Sequence, residues 1–257
     1  MSIGSGGGIG INSVSDVNVL EKTSPLFDFV FGRRDNITTL SAEASPEDLT
    51  LTLTSTTGFV DGITIGVFSA SDPDGIYVGE QIGAPVGSVI TIDTPVNIAL
   101  PAGSFVAAVT TNMAVDGSST TQAFAVGPVL TGSLGILHIT RIMGHFLDSS
   151  AMDDGKFGGI AALTNGCVLR KNDGKISTLW NVKTNADLAL ICYDFSYNDK
   201  AGGGKYGANF RDTYGGQGAH GVVLELLPGE YLELLIQDDL TGLDEFTMMA
   251  QGHFKDV

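Results

Sequence analysis

The strongest constraint in this sequence is its punctuation. Apolar runs of roughly four to eight residues are cut by Gly, Pro and Asp-Gly turns, and no sustained helical period joins them. Leu49-Thr50-Leu51-Thr52-Leu53-Thr54 alternates with period two, as a half-buried strand does. The 35 glycines have no collagen period and lie between such runs instead of replacing them. The pattern predicts an all-β chain: a small β-barrel or sandwich domain, then a jelly-roll-like antiparallel β-sandwich, with an extended N-terminal arm.

Residues 1–35 read as the arm. Gly4, Gly6, Gly7, Gly8 and Gly10 crowd its start, and Phe27, Phe29 and Phe31 alternate near its end. Ordering such a stretch is opposed by roughly 1–2 kcal/mol of backbone entropy per residue, so a neighbouring subunit is the expected anchor. The Phe alternation fits a strand added to that neighbour's sheet. Residues 36–118 hold five or six short strands separated by Asp72-Pro73-Asp74-Gly75, Ala84-Pro85-Val86-Gly87 and Leu100-Pro101-Ala102-Gly103, the barrel or sandwich. Residues 119–257 hold the sandwich, with strands expected at 121–126, 136–142, 159–163, 167–170, 176–180, 188–193, 222–227, 231–237 and 246–254. The last two before 246 are joined by Pro228-Gly229-Glu230 and read as a hairpin. Residues 198–221, with eight glycines, read as one long loop that is functional or pinned by a partner.

Composition narrows the function. Thirteen Lys plus Arg against 29 Asp plus Glu give a net charge of −16, which repels nucleic-acid phosphates and anionic lipid. Neither nucleic acid nor membrane is an expected partner. The longest nearly apolar stretch, 98–109, falls short of the ~20 residues of a membrane helix. The first residues carry neither the basic nor the apolar segment of a secretory signal, so ordinary export is not expected. Cys167 and Cys192 stand in apolar runs and read as buried, reduced thiols.

Chemical constellations are weighed in turn. Gly202-Gly203-Gly204-Lys205-Tyr206-Gly207 fits G-x-G-x-x-G, but no helix pattern follows it, so no nucleotide cofactor is expected. His138, His145, His220 and His253 have no metal-ligand spacing; no metal is expected, and His138 reads as a satisfied core or interface histidine. No G-x-S-x-G elbow occurs, and neither cysteine has an electropositive neighbourhood. Asp72-Pro73-Asp74-Gly75, Asp153-Asp154-Gly155, Asn172-Asp173-Gly174 and Asp238-Asp239-Leu240-Thr241-Gly242 read as turn chemistry ahead of calcium loops. Glu225 and Glu233 read as solvent-facing residues on paired strands. Trp180, with Tyr206 and Tyr214, is the candidate ligand or partner surface, a stacking platform for sugar rings, against the plainer reading of Trp180 as core or interface.

Three strings carry a resemblance: Ser55-Thr56-Thr57-Gly58-Phe59-Val60-Asp61-Gly62, the run 84–96 from Ala84-Pro85-Val86-Gly87 to Thr94-Pro95-Val96, and Asp238-Asp239-Leu240-Thr241-Gly242-Leu243. In these the chain resembles structural proteins of tailed-bacteriophage particles. The resemblance implies a place in the virion and a non-enzymatic scaffolding role in tail, baseplate or collar, among other virion proteins and further copies of itself. Capsid decoration and host-glycan binding stay open beside it. The expectation from the residues is the same in kind: an assembly protein without cofactor, metal or catalytic group.

Overall fold

The computed structural model describes residues 27–68, 76–97, 99–126, 135–192, 194–198, 204–215 and 224–256. The chain is all-β; the described residues include one short helix. In order come β1 (Phe27–Val30), β2 (Arg33–Thr39), β3 (Thr50–Thr52), β4 (Thr64–Phe68), β5 (Ile76–Glu80), β6 (Val89–Thr91) and β7 (Phe105–Thr110). There follow β8 (Gln122–Val126), β9 (Gly135–Asp148), β10 (Cys167–Asn172), β11 (Ile176–Val182), α1 (Asn185–Ile191), β12 (Asp194–Asn198), β13 (Tyr206–Thr213), β14 (Leu224–Leu226), β15 (Tyr231–Ile236) and β16 (Glu245–Asp256).

Strands β2 to β7 make a small barrel. Its sheet runs β2-β7-β4-β5, and β3 pairs with β6. Two seams join these pieces into a ring. Asp93 N–H donates to the Glu80 carbonyl at 2.9 Å, and Ile82 N–H to that of Thr91 at 2.9 Å, linking the β5 and β6 ends. Ser41 N–H donates to Thr52 O, and Thr54 N–H to Thr39 O, each at 2.8 Å, linking β3 to β2. The alternation at 49–54 works as its pattern dictates: Leu51 and Leu53 are buried, in an interior shared with Leu40, Phe59, Ile65, Val67, Ile90, Ile92 and Val106.

The remaining strands form the sandwich, and β1 belongs to it. Counting β1, β8, β9, β10, β11, β13, β15 and β16 as its strands, first pairs with last (β1 with β16), second with seventh (β8 with β15), third with sixth (β9 with β13) and fourth with fifth (β10 with β11). This nesting is one long antiparallel hairpin rolled up on itself, the jelly roll. Strand β16 also pairs with β9, and β15 with β10, so two sheets result: β1-β16-β9-β13-β12 and β8-β15-β10-β11. Strand β14 continues the β13 ladder, placing Leu224 to Leu226 opposite Ile139 to Leu137. Between the sheets Phe146 stacks on Phe246 with centroids 4.4 Å apart and meets Phe157 edge-on at 5.0 Å. A Cβ on Gly144 would overlap the Phe210 ring, so glycine there is a packing requirement.

Several expectations are corrected. The stretch of Phe27, Phe29 and Phe31 is not an arm laid on a neighbour's sheet: β1 is added to the chain's own β16, with Phe29 opposite Ala250, and the Phe31 side chain is fully buried in the sandwich core. Residues 1–26 of the expected arm lie outside the described residues. Arg33–Thr39 is already barrel, so the boundary at 35 moves to Gly32, and the barrel is an insertion between the first and second sandwich strands. The 222–236 hairpin does not form, because β14 pairs with β9 and β15 lies between β8 and β10. Strand β15 buries five of its six residues, which only a central strand allows, so Pro228-Gly229 passes the chain from one sheet to the other.

Residues 188–191 of the expected strand at 188–193 are the end of helix α1, and residue 193 lies outside the described residues. Thr184 caps the helix by accepting from Asp187 N–H, while the Asp187 side chain accepts from Thr184 N–H. The expected strand at 159–163 is loop, tied by the buried Asn185, whose Nδ2 donates to the carbonyls of Asp153 and Gly158 and whose Oδ1 accepts from Gly158 N–H. The expected 198–221 loop is crossed by β13. Phe31→Ala is expected to lower unfolding free energy by about 3–5 kcal/mol, read by urea denaturation. A loss under about 1 kcal/mol would contradict its place in the core.

Candidate interaction surface

The segments 55–62 and 82–88 meet at one end of the barrel. Asp61 Oδ1 accepts from Gly83 N–H at 2.6 Å, and Gly62 N–H donates to the Gln81 carbonyl at 2.9 Å, so Ile82 lies directly beside Asp61 and Gly62. Thr56 Oγ1 donates to Gly87 O at 3.3 Å, and Leu53 N–H to Ser88 O at 2.7 Å. On the other side of 55–62, Asn36 Nδ2 donates to Gly58 O at 3.1 Å and Ser55 N–H to Thr38 Oγ1 at 3.1 Å. Gly58 has φ +83 with the Asn36 amide where a Cβ would stand, so both the turn and the contact demand glycine.

These bonds hold the loops while their apolar side chains point out. Val86 is 81% exposed, Val60 55% and Ile82 53%, with Ile37 also exposed beside Asn36. Apolar groups grouped on fixed loops are the signature of a contact surface, since exposing them to water opposes burial worth about 25 cal/mol per Å². Sequence alternation marked 49–54 and 88–92 as strands, but the meeting of 55–62 with 82–88 depends on barrel closure and is not a local signal.

The aromatic platform is corrected. Trp180 and Tyr214 are brought together, but inside: both are buried, with the indole beside the Tyr214 hydroxyl and its N–H left without a well-aligned partner. The Tyr214 hydroxyl donates to the buried Asp212 carboxylate at 2.7 Å. Burial, then the Asp212 charge, raises the Tyr214 pKa. Tyr206 starts β13, opposite Asp148 at the far end of the strand from Tyr214, and is half-buried. The three residues make no shared exposed face.

Other candidates resolve as follows. Lys205 is followed by strand β13, not by a helix, and its Nζ lies 3.6 Å from Asp244. His138, His253 and Glu225 share one row across β16, β9 and β14: His138 Nε2 is 3.1 Å from Glu225 Oε2, and the two imidazoles meet edge-on at 5.3 Å. Burial, then the neighbouring His138, lowers the His253 pKa. His145 Nδ1 is 2.8 Å from Asn209 Oδ1, and His220 lies outside the described residues. Among the described residues no group of three or more His, Cys, Asp or Glu is placed to hold a metal ion.

The acidic turns use their carboxylates on their own backbone. Asp153 accepts from Gly155 N–H, Asp173 from Lys175 N–H and Asp239 from Thr241 N–H. Asp238 accepts from the N–H groups of Thr164, Asn165 and Gly166, pinning that loop. The turn 72–75 lies outside the described residues. Glu225 is exposed, but Glu233 is corrected: it is buried, accepts from Arg170 Nη2 at 3.0 and 3.1 Å, and stands on a different sheet from Glu225.

Cys167 and Cys192 are free and buried. Burial, with the Asp212 charge added, pushes the Cys192 thiol up to about 12; burial, with the Asp238 charge, raises Cys167 as well. Both stay protonated at neutral pH and lack the thiolate that reacts. A disulfide reagent at pH 8 should therefore titrate neither thiol in the native chain and both in denaturant; fast native reaction would contradict the burial.

No protein-family model matches the chain, and a search of curated proteins finds no match.

Proposed function

We propose that the chain is a non-enzymatic structural component of a tailed-phage virion, of tail, baseplate or collar, assembling with further copies of itself and with other virion proteins. The single observation that carries the reading is the barrel end. Residues 55–62 and 82–88, which include one of the resembling strings and the start of another, fold against each other and hold Val60, Ile82 and Val86 out to solvent. A docking surface requires such fixed, apolar side chains. Capsid decoration remains the alternative within the same class. The glycan-binding alternative loses Trp180 and Tyr214 as an exposed stacking pair, because both rings are interior.

The test replaces Val60, Ile82 and Val86 by Asp together. Because all three side chains are exposed, the thermal melting curve should stay close to wild type. Incorporation into particles assembled with the full structural gene set should fall about tenfold or more, as loss of a central apolar contact does. A folded triple variant that incorporates normally would contradict the surface. Absence of the wild-type chain from purified particles would contradict the virion location.

A further inference from the structure

The two flanks of the sandwich are finished differently. On one, the edge of β8 is closed by Gly32, which exchanges both backbone hydrogen bonds with Ala125 at 3.0 and 3.2 Å. On the other, β11 ends its sheet, β12 ends the facing sheet, and α1 runs between them. Among the described residues nothing pairs with the outer edge of β11.

That edge lacks the usual protection. Ile176-Ser177-Thr178-Leu179-Trp180-Asn181-Val182 contains no charge, proline or glycine, the devices that keep a strand edge from recruiting another strand. Strand β12 is shorter and carries Asp194, paired with Arg211. Apolar side chains gather on the same flank: Leu190 of α1 is 85% exposed and Ile176 59%, with Tyr197 of β12 also exposed.

We propose that a second copy of this chain docks on this flank, the two β11 strands pairing antiparallel about a two-fold axis at Thr178. Charge selects this occupant. In a chain of net −16, self-contact is opposed almost everywhere. Here Arg170 is matched by Glu233 and Lys171 by Glu230 on the strands behind β11, leaving the flank close to neutral. An axis at Thr178 sets Thr178 opposite itself, a favourable cross-strand pair. An isologous contact of this kind closes on itself as a dimer. Leu179 forms a bulge against β10, which bends β11 and keeps the new ladder short, so the dimer is reversible and concentration-dependent.

The inference deepens the self-assembly part of the proposed function and rests on it, but it uses a different surface from the barrel end. The test uses the full chain. Wild type should sediment as a monomer–dimer mixture whose dimer share rises with concentration, and Thr178→Lys, an exposed change that leaves the melting curve intact, should sediment as monomer. Under mild oxidation Thr178→Cys should give a covalent dimer on a non-reducing gel, since facing residues of an antiparallel pair lie within disulfide reach. Thr120→Cys, exposed just before β8, should not, and the buried native thiols stay silent. A wild type that is monomeric at every concentration, with no Thr178→Cys crosslink, would overturn both this inference and self-assembly. A wild-type oligomer that survives Thr178→Lys, with no Thr178→Cys crosslink, would overturn this surface alone.

Discussion

The structure depends on the pairing of β1 with β16. Strand β1 is four residues long, yet it supplies the first strand of the jelly roll, and Phe31, just past its end, fills part of the core. Without it Met249 to Gly252 of β16 lose their partner on that side and become an open strand edge, the kind of surface that recruits other chains. The same strand receives both connections to the barrel. Phe31 N–H donates to Met248 O at 3.0 Å, and Met113 N–H to Phe246 O at 2.7 Å, so the chain leaves the sandwich and returns to it along neighbouring residues of β16. An insertion whose ends lie side by side leaves the host fold undisturbed.

Polar groups are used within this frame to fix loops and not to make a reactive centre. Asp238 gathers three backbone N–H groups of 164–166, Asn185 ties 153–158, and Thr184 with Asp187 closes the helix start. The Arg170–Glu233 pair is partly buried on the β15 sheet, where each partner's charge offsets the other's desolvation. Much of a strongly acidic composition is thereby accounted for locally, because a carboxylate in a tight turn substitutes for a missing backbone acceptor. Among the described residues, the barrel end and the flank of β11 and α1 each hold exposed apolar side chains, with Leu49, Phe105 and Leu227 exposed elsewhere.

Strand positions were legible because alternation is local: 49–54, 88–92, 105–109 and 231–237 all contain strands, and the all-β class follows from them. Partners were not legible, because register is settled by burial far away in sequence. The 222–236 stretch shows the difference, since its turn is real but its strands belong to different sheets. The capping box Thr184-Asn185-Ala186-Asp187 is local to helix α1, but the apolar run after it fits a buried strand equally well by pattern. Trp180 is core, as its plainer reading had it, while Tyr214, expected only as part of an exposed face, turns inward on the end of β13, which lies in a glycine-rich stretch.

The central claim, that the sandwich is completed from before the barrel and that the barrel is an insertion, is tested most directly by excising residues 33–111 and joining Gly32 to Asn112 through a short glycine linker. Equilibrium urea unfolding of that shortened chain should show one cooperative transition with a β-type spectrum in the native baseline. A shortened chain that is unfolded or lacks a cooperative transition would contradict it.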